Sequence, residues 1–292
     1  MVRPAYVITD PRLGRMDEGG AGAAGFGVEA LAESRREVPE LLWRDSIGST
    51  NTELVRLAAE QELAAFTTLA TTDQTAGRGR LDRSWVAPAG SALAVSVLVR
   101  SASAAGLGWL PLAAGAAMFD AVASVLPPGV DVGIKWPNDL QLDGRKVCGI
   151  LSELVPANAA SPGVAVVIGA GLNLTMSAEE LPVPTATSLA LAGADAGQGA
   201  ALLDRVLSAY LRSLKVLVEG LLRSDGDAVR SGLHAAVVER CTTIGREVRA
   251  ELPGGEQLHG RAVGIDDIGR LEVRDDAELL TAVAAGDIVH LR

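Results

Sequence analysis

Gln74-Thr75-Ala76-Gly77-Arg78-Gly79-Arg80-Leu81-Asp82-Arg83-Ser84-Trp85 follows directly on a β-prone run, Phe66 to Thr72, and sets two glycines and three arginines between Gly77 and Arg83. Arginine presents a planar fork of donors that matches carboxylate and phosphate. Glycine lets backbone N–H groups come close to such a ligand. The stretch therefore reads as a loop that folds over a small anionic or phosphorylated substrate. Taken alone it reads equally as a solvated basic turn, and Gly/Arg-rich runs also serve as nucleic-acid-binding tails. The rest of the chain has to choose.

Composition narrows the choice. The 292 residues suffice for one large domain or two smaller ones, with 48% hydrophobic and 21% charged residues, as in ordinary globular chains. Aromatic residues make up only 3%, so Ala, Leu and Val must fill the core. Twenty-six basic against 36 acidic residues give a net charge of −10, which disfavours general polyanion binding and leaves room for a small basic pocket with a compact anionic ligand. The two cysteines, Cys148 and Cys241, have neither metal-ligand nor disulfide-framework spacing, and a reducing cytoplasm is expected. His234, His259 and His290 are scattered and are expected to be structural or exposed. No apolar run has the length of a membrane span, and no secretory signal is visible.

Outward from the arginine loop the chain alternates strands and helices. Residues 1 to about 40 read as a loosely ordered extension, Gly/Ala-rich from Gly14 to Gly27, in which Tyr6-Val7-Ile8 could pack as a strand. The folded part is expected to begin at Leu41-Leu42-Trp43. Thr50 or Asn51 would cap a helix whose apolar face is Leu54, Leu57, Ala58 and Leu63, and Ser49-Thr50-Asn51 could also meet a polar ligand at the helix start. After the loop, Ser91 to Arg100 reads as a strand and Leu107 to Leu126 as an Ala/Leu helix stopped by Pro127-Pro128, with Met118 and Phe119 in the core. Val130 to Trp136 reads as a strand running into Lys135-Trp136-Pro137-Asn138-Asp139, a sharp bend with an Asn-Asp pair beside a lysine. Asp143-Gly144 marks a hairpin whose second arm, Lys146 to Leu154, is mostly apolar. Lys146 could snorkel or act chemically, and it lies close to Asp139 across the hairpin. Val164 to Ile168 is a further strand, followed by Gly169-Ala170-Gly171-Leu172-Asn173, which lacks the third glycine of a dinucleotide fingerprint. Helices are expected over Ala200 to Leu222 and Asp227 to Cys241. Beyond residue 242, five short runs between turns read as a small β-barrel.

In this order the motifs closely resemble the biotin–protein ligase family: Gly77-Arg78-Gly79-Arg80 with Arg83 and Trp85, then Lys135-Trp136-Pro137-Asn138-Asp139, then Lys146 and Gly149, then Gly169-Ala170-Gly171-Leu172-Asn173. The resemblance implies an α+β fold, a mixed β-sheet flanked by helices of the class II aminoacyl-tRNA synthetase-like type over residues 41–241, with an SH3-like β-barrel over 242–292. It implies that biotin is activated by ATP to biotinyl-5′-AMP and passed to a lysine of the biotin carboxyl carrier domain of acetyl-CoA or acyl-CoA carboxylase. Mg²⁺ would arrive with ATP, so no protein metal cage is required. Residue by residue it implies catalytic roles for Lys146, Arg78, Arg80 and Asp139. Biotin would be held by Ser49, Thr50, Asn51, Gln74, Arg78, Gly79, Arg80, Lys146 and Gly149. The nucleotide would be held by Arg80, Arg83, Trp85, Lys135, Asn138 and Asn173. Family members that repress transcription carry an N-terminal winged helix, and residues 1–40 show no segment of that kind, so the expectation is a monofunctional cytoplasmic ligase, monomer or weak homodimer, without DNA or membrane. The rivals are a lipoate or octanoate ligase or transferase of the same fold, and a nucleic-acid-binding regulatory protein using the basic loop.

Overall fold

The computed structural model describes residues 28–81, 83–157, 163–194, 199–252, 257–284 and 287–291. The Tyr6-Val7-Ile8 run, Gly14 to Gly27, most of the 156–162 loop and the turn at Pro253-Gly254-Gly255 lie outside them. In chain order the elements are α1 (Ser34–Glu37), β1 (Leu41–Trp43), α2 (Thr50–Glu60), β2 (Thr68–Thr71), β3 (Gly77–Arg78), β4 (Ser84–Trp85), β5 (Ala92–Ser101), α3 (Leu110–Ala123) and β6 (Val132–Lys135). There follow β7 (Asp139–Leu142), β8 (Arg145–Leu154), β9 (Val164–Asn173), α4 (Gly199–Arg223), α5 (Leu233–Arg240), β10 (Glu247–Glu251), β11 (Gln257–Ile265), β12 (Leu271–Arg274), β13 (Leu280–Val283) and β14 (Asp287–His290).

Seven strands form one mixed sheet in the order β1-β2-β5-β9-β8-β7-β6, parallel between β1 and β2 and antiparallel elsewhere. Its two faces bury different helices. One carries α3 and α4 in the main core, where Met118, Tyr210 and Leu214 are fully buried. The other carries α2, whose Leu54 and Ala58 pack on Leu69, Leu98 and Val167. The β7–β8 hairpin turns as its Asp-Gly pair predicts, with Asp143 at φ 47° and Gly144 at φ 75°.

Several boundaries differ from the sequence reading, each for a physical reason. The strand after Val164 does not stop at Ile168 but runs on through the glycines to Asn173, because β5 and β8 pair with it on both sides and supply the ladder that glycine propensity does not. The helix expected from Asp227 starts only at Leu233, after Gly232 in the left-handed region at φ 81°. The cap of α2 is neither Thr50 nor Asn51 but Ser49, whose extended backbone lets its Oγ accept from Thr52 N at 3.4 Å. Residues 28–40, expected to be loose, form two short turns docked on α4. There the buried Asp204 carboxylate accepts from Glu33 N (2.9 Å), Ser34 N (2.8 Å) and Ser34 Oγ (2.5 Å), satisfying orphan donors of α1, while Leu31 is fully buried.

The five C-terminal strands form a second, antiparallel sheet of SH3-like type in the order β13-β12-β11-β10-β14. Two buried indoles, Trp109 just before α3 and Trp136 just after β6, fasten it to the rest of the fold. Trp109 Nε1 donates to Asp267 O at 2.8 Å and Trp136 Nε1 to Gly269 O at 3.0 Å, both in the turn between β11 and β12. Thr243 Oγ1 adds a third tie, accepting from Trp136 N at 3.0 Å and lying 3.1 Å from His290 Nε2. No described helix is long and apolar enough to cross a membrane.

Burial, with Lys135 and Arg246 nearby, lowers the His290 pKa to about 4. A histidine neutral in the fold and free to protonate when unfolded costs stability as acid is added. Stability is therefore expected to hold above pH 6.5, the ordinary value, and to fall between there and about 4. Urea unfolding across that window should show a smaller acid loss for His290→Gln than for the wild type.

Candidate functional site

The site is built on a floor of missing side chains. The register aligns Ala94, Gly171, Gly149, Asp139 and Lys135 in one row across β5, β9, β8, β7 and β6, with Ser96, Gly169 and Leu151 in the next row. Alternation puts all of these on one face of the sheet. A Cβ on Gly169 would lie 2.1 Å from Asn51 Oδ1, one on Gly171 2.8 Å from the Trp85 indole, and one on Gly149 3.0 Å from Lys146 Nζ. Glycine at these places is what lets a helix residue, a loop tryptophan and a lysine lie on the sheet. Together they line a cleft of about 180 Å³.

One end of the cleft is neutral. Thr75 N and Ala76 N donate to Ile47 O and Gly48 O at 2.9 and 2.8 Å, which brings Gln74 beside the start of α2. Gln74 Oε1 accepts from Thr50 N (2.7 Å) and Thr50 Oγ1 (3.0 Å). Ser96 Oγ lies 2.8 Å from Thr50 Oγ1 and 2.6 Å from Asn51 Oδ1, while Asn51 Nδ2 donates to Leu151 O at 3.0 Å and to Glu153 Oε2 at 2.9 Å. The buried Thr50, Asn51 and Ser96 and the half-buried Gln74 thus hold one another in place.

The other end is cationic. Arg78, Arg80, Arg83 and Lys146 line it, against one lining carboxylate among the described residues, Asp139. The arginine loop is a two-strand ribbon, Gly77 opposite Trp85 and Arg78 opposite Ser84, closed by Gly79 N donating to Arg83 O at 2.6 Å. Arg78 Nη1 is 2.8 Å from Glu153 Oε1, and Arg80 Nη1 donates to Asn138 Oδ1 at 3.0 Å. Asn138 is itself pinned, its Nδ2 donating to Ile150 O at 2.9 Å and its O accepting from Ile150 N at 2.8 Å. Lys146 Nζ lies 2.6 Å from Asp139 Oδ1, an ion-pair contact without hydrogen-bond alignment at that oxygen. Just behind the floor, burial raises the Cys148 thiol to about 12 and also raises Cys241, so neither supplies a thiolate at neutral pH.

The structure therefore brings Ser49, Thr50, Asn51, Gln74, Arg78, Gly79, Arg80, Arg83, Trp85, Asn138, Asp139, Lys146 and Gly149 to one cleft. Lys135 and Asn173 stand on the same face of the sheet but do not line it. Asn173 is buried with Nδ2 donating to Thr187 O at 2.8 Å, and Lys135 sits on the edge strand β6 towards His290. Ser96 and Glu153 were missed. A lone hydroxyl inside the apolar run Ala92–Val99, and the two-residue alternation Gly149, Leu151, Glu153, were the available signals.

A mixed sheet with a glycine floor, an arginine ribbon over it and an SH3-like unit beside it define a ligase fold that other proteins share. Residues 43–173 match the biotin/lipoate A/B protein ligase family and residues 243–291 the biotin protein ligase C terminal domain. Over 248 residues the chain is 41% identical to the biotin--[acetyl-CoA-carboxylase] ligase of Mycobacterium tuberculosis, covering 84% of this chain and 86% of the relative. Over 234 residues it is 33% identical to the protein of the same name from Paracoccus denitrificans, covering 78% and 92%. The solved biotin protein ligase from Aquifex aeolicus in complex with biotin and ATP matches with a TM-score of 0.67 at 24% identity, over 87% of this chain and 99% of that one, a likeness of fold. The chain belongs to the biotin protein ligase family.

The glycine floor makes a quantitative prediction. Gly169→Ala must displace Asn51 and its hydrogen bonds to Ser96, Leu151 and Glu153. It should cost about 1–3 kcal/mol in urea unfolding. Gly48→Ala, where a Cβ meets nothing within 4 Å, should stay within about 0.5 kcal/mol of wild type.

Proposed function

We propose that this chain is an ATP-dependent biotin–protein ligase that forms biotinyl-5′-AMP and transfers the biotinyl group to a lysine of a biotin carboxyl carrier domain. The observation that carries the reading is the division of one cleft into a neutral hydrogen-bonding end and a cationic end, joined over a floor without side chains. Biotin has the same division, a neutral ureido ring at one end and a carboxylate at the other. Ser49, Thr50, Asn51 and Gln74 suit the ring, and Arg78, Arg80 and Lys146 suit the carboxylate and the α-phosphate beside it.

The first step joins two anions. A biotin carboxylate oxygen attacks the α-phosphorus of ATP, the bond to the bridging oxygen of the β-phosphate breaks, and pyrophosphate leaves. Fixed cations offset the repulsion and the charge that builds up in the transition state. In this reading Lys146 is the main electrostatic catalyst, and its loosely aligned contact with Asp139 is exchanged for the substrate oxygens. Arg83 and Trp85 close over the nucleotide, with Asn138 fixing Arg80. Closure of the ribbon keeps water from the mixed anhydride. In the second step the carrier lysine amine attacks the carbonyl carbon, the bond to the phosphate oxygen breaks, AMP leaves and the amine gives up a proton. In this reading Asp139, released from Lys146, orients that amine or accepts the proton.

Among the described residues no group of three His, Cys, Asp or Glu side chains could hold a metal ion. Mg²⁺ enters as part of the nucleotide substrate, neutralising phosphate charge there. The net charge of −10 supports a reading without DNA. The proposed macromolecular partner is the carrier domain of an acetyl-CoA or acyl-CoA carboxylase, and the proposed form is a cytoplasmic monomer or weak homodimer.

Lys146→Ala should lower biotin-dependent pyrophosphate release by at least about 10²-fold, with unfolding unchanged. Near-normal release would remove Lys146 from the mechanism. Release with lipoate in place of biotin would shift the substrate assignment.

A further inference from the structure

We infer that Glu153 is a positioning residue that holds the Arg78 guanidinium in the orientation that receives the substrate carboxylate, and so sets the affinity for biotin. The inference deepens the ligase reading and rests on it through Arg78.

Arg78 is half exposed and stands on a two-residue strand, so nothing in its backbone fixes where its long side chain lies. Among the described residues its one polar side-chain partner is Glu153, through Nη1 at 2.8 Å. Glu153 is held from below. Its other oxygen accepts from Asn51 Nδ2 at 2.9 Å, and Asn51, only 4% exposed, is fixed in turn by Ser96 Oγ at 2.6 Å and Leu151 O at 3.0 Å. The chain of contacts continues through Thr50 to Gln74, four residues before Arg78 on the same loop. The buried end of the cleft thus sets the direction of an exposed cation at its mouth. Contact through one nitrogen leaves the Nε–Nη2 edge of the fork for a bidentate anion. Held in place, the arginine surrenders less rotamer freedom when the anion arrives.

An opposing view of the same contact makes Glu153 a counter-ion that competes with the ligand. The two views differ in sign. Removing a competing negative charge would tighten anion binding, whereas removing an orienting one weakens it.

The test is biotin titration calorimetry on the full chain, comparing wild type, Glu153→Gln, Arg78→Ala and the double variant. Glu153→Gln should weaken biotin about tenfold. In the Arg78→Ala background the same change should shift the dissociation constant less than about twofold, because the orienting group then has nothing to orient. Unchanged or tighter binding by Glu153→Gln, or a tenfold loss that persists without Arg78, would overturn the assignment. If circular dichroism shows Glu153→Gln to be unfolded, Glu153→Asp, which keeps the charge but withdraws it by one methylene, carries the same two expectations and the same refutations. Failure of the ligase reading has its own signature, a wild type that does not bind biotin at all, and that result would overturn this assignment as well.

Discussion

The molecule is organised by the absence of Cβ atoms at Gly149, Gly169 and Gly171. On a sheet of ordinary residues, Asn51 and Trp85 would be displaced, since added Cβ atoms at Gly169 and Gly171 would lie 2.1 and 2.8 Å from them, and one at Gly149 would press on the end of Lys146 at 3.0 Å. The glycines lie on neighbouring strands in register, so three independent elements, a hairpin lysine, a helix start and a loop tryptophan, converge on one cleft. Pairing on both sides supports the glycine-bearing strand, so the conformational cost of glycine is borne by the sheet.

Charge is concentrated against the average. A chain with a net charge of −10 gathers four cations around one cleft, against one lining carboxylate among the described residues. In the proposed reading such a site attracts compact anions. Neighbouring side chains contact these cations: Glu153 meets Arg78, Asn138 meets Arg80 and Asp139 meets Lys146. Cations kept apart and oriented before substrate arrives need little reorganisation at the moment of reaction, which is the general route to electrostatic catalysis.

Local features were the legible ones. Asp143-Gly144 announced its hairpin because both residues tolerate positive φ, and the turn-delimited runs after residue 242 announced five strands. The arginine ribbon and the Lys-Trp-Pro-Asn-Asp bend were legible as motifs, and most of the candidate site lies on or beside them. What depends on distant partners was not legible. Residues 28–40 look unstructured until Asp204, some 170 positions away, accepts the donors of their helical turn. Glu153 looks like an ordinary strand residue until Asn51, 102 positions earlier, anchors it. Asn173 carried the donor–acceptor chemistry for an adenine edge, but its Nδ2 is engaged by a backbone carbonyl that the chain brings back beside it.

In the proposed function one cleft both activates biotin and delivers it, which mass spectrometry of a biotin carboxyl carrier domain incubated with the protein, MgATP and biotin puts to the test. A mass gain of one biotinyl group on a single lysine is expected, dependent on ATP and lost with Lys146→Ala. An unmodified carrier domain, or modification that proceeds equally well without ATP, would contradict it.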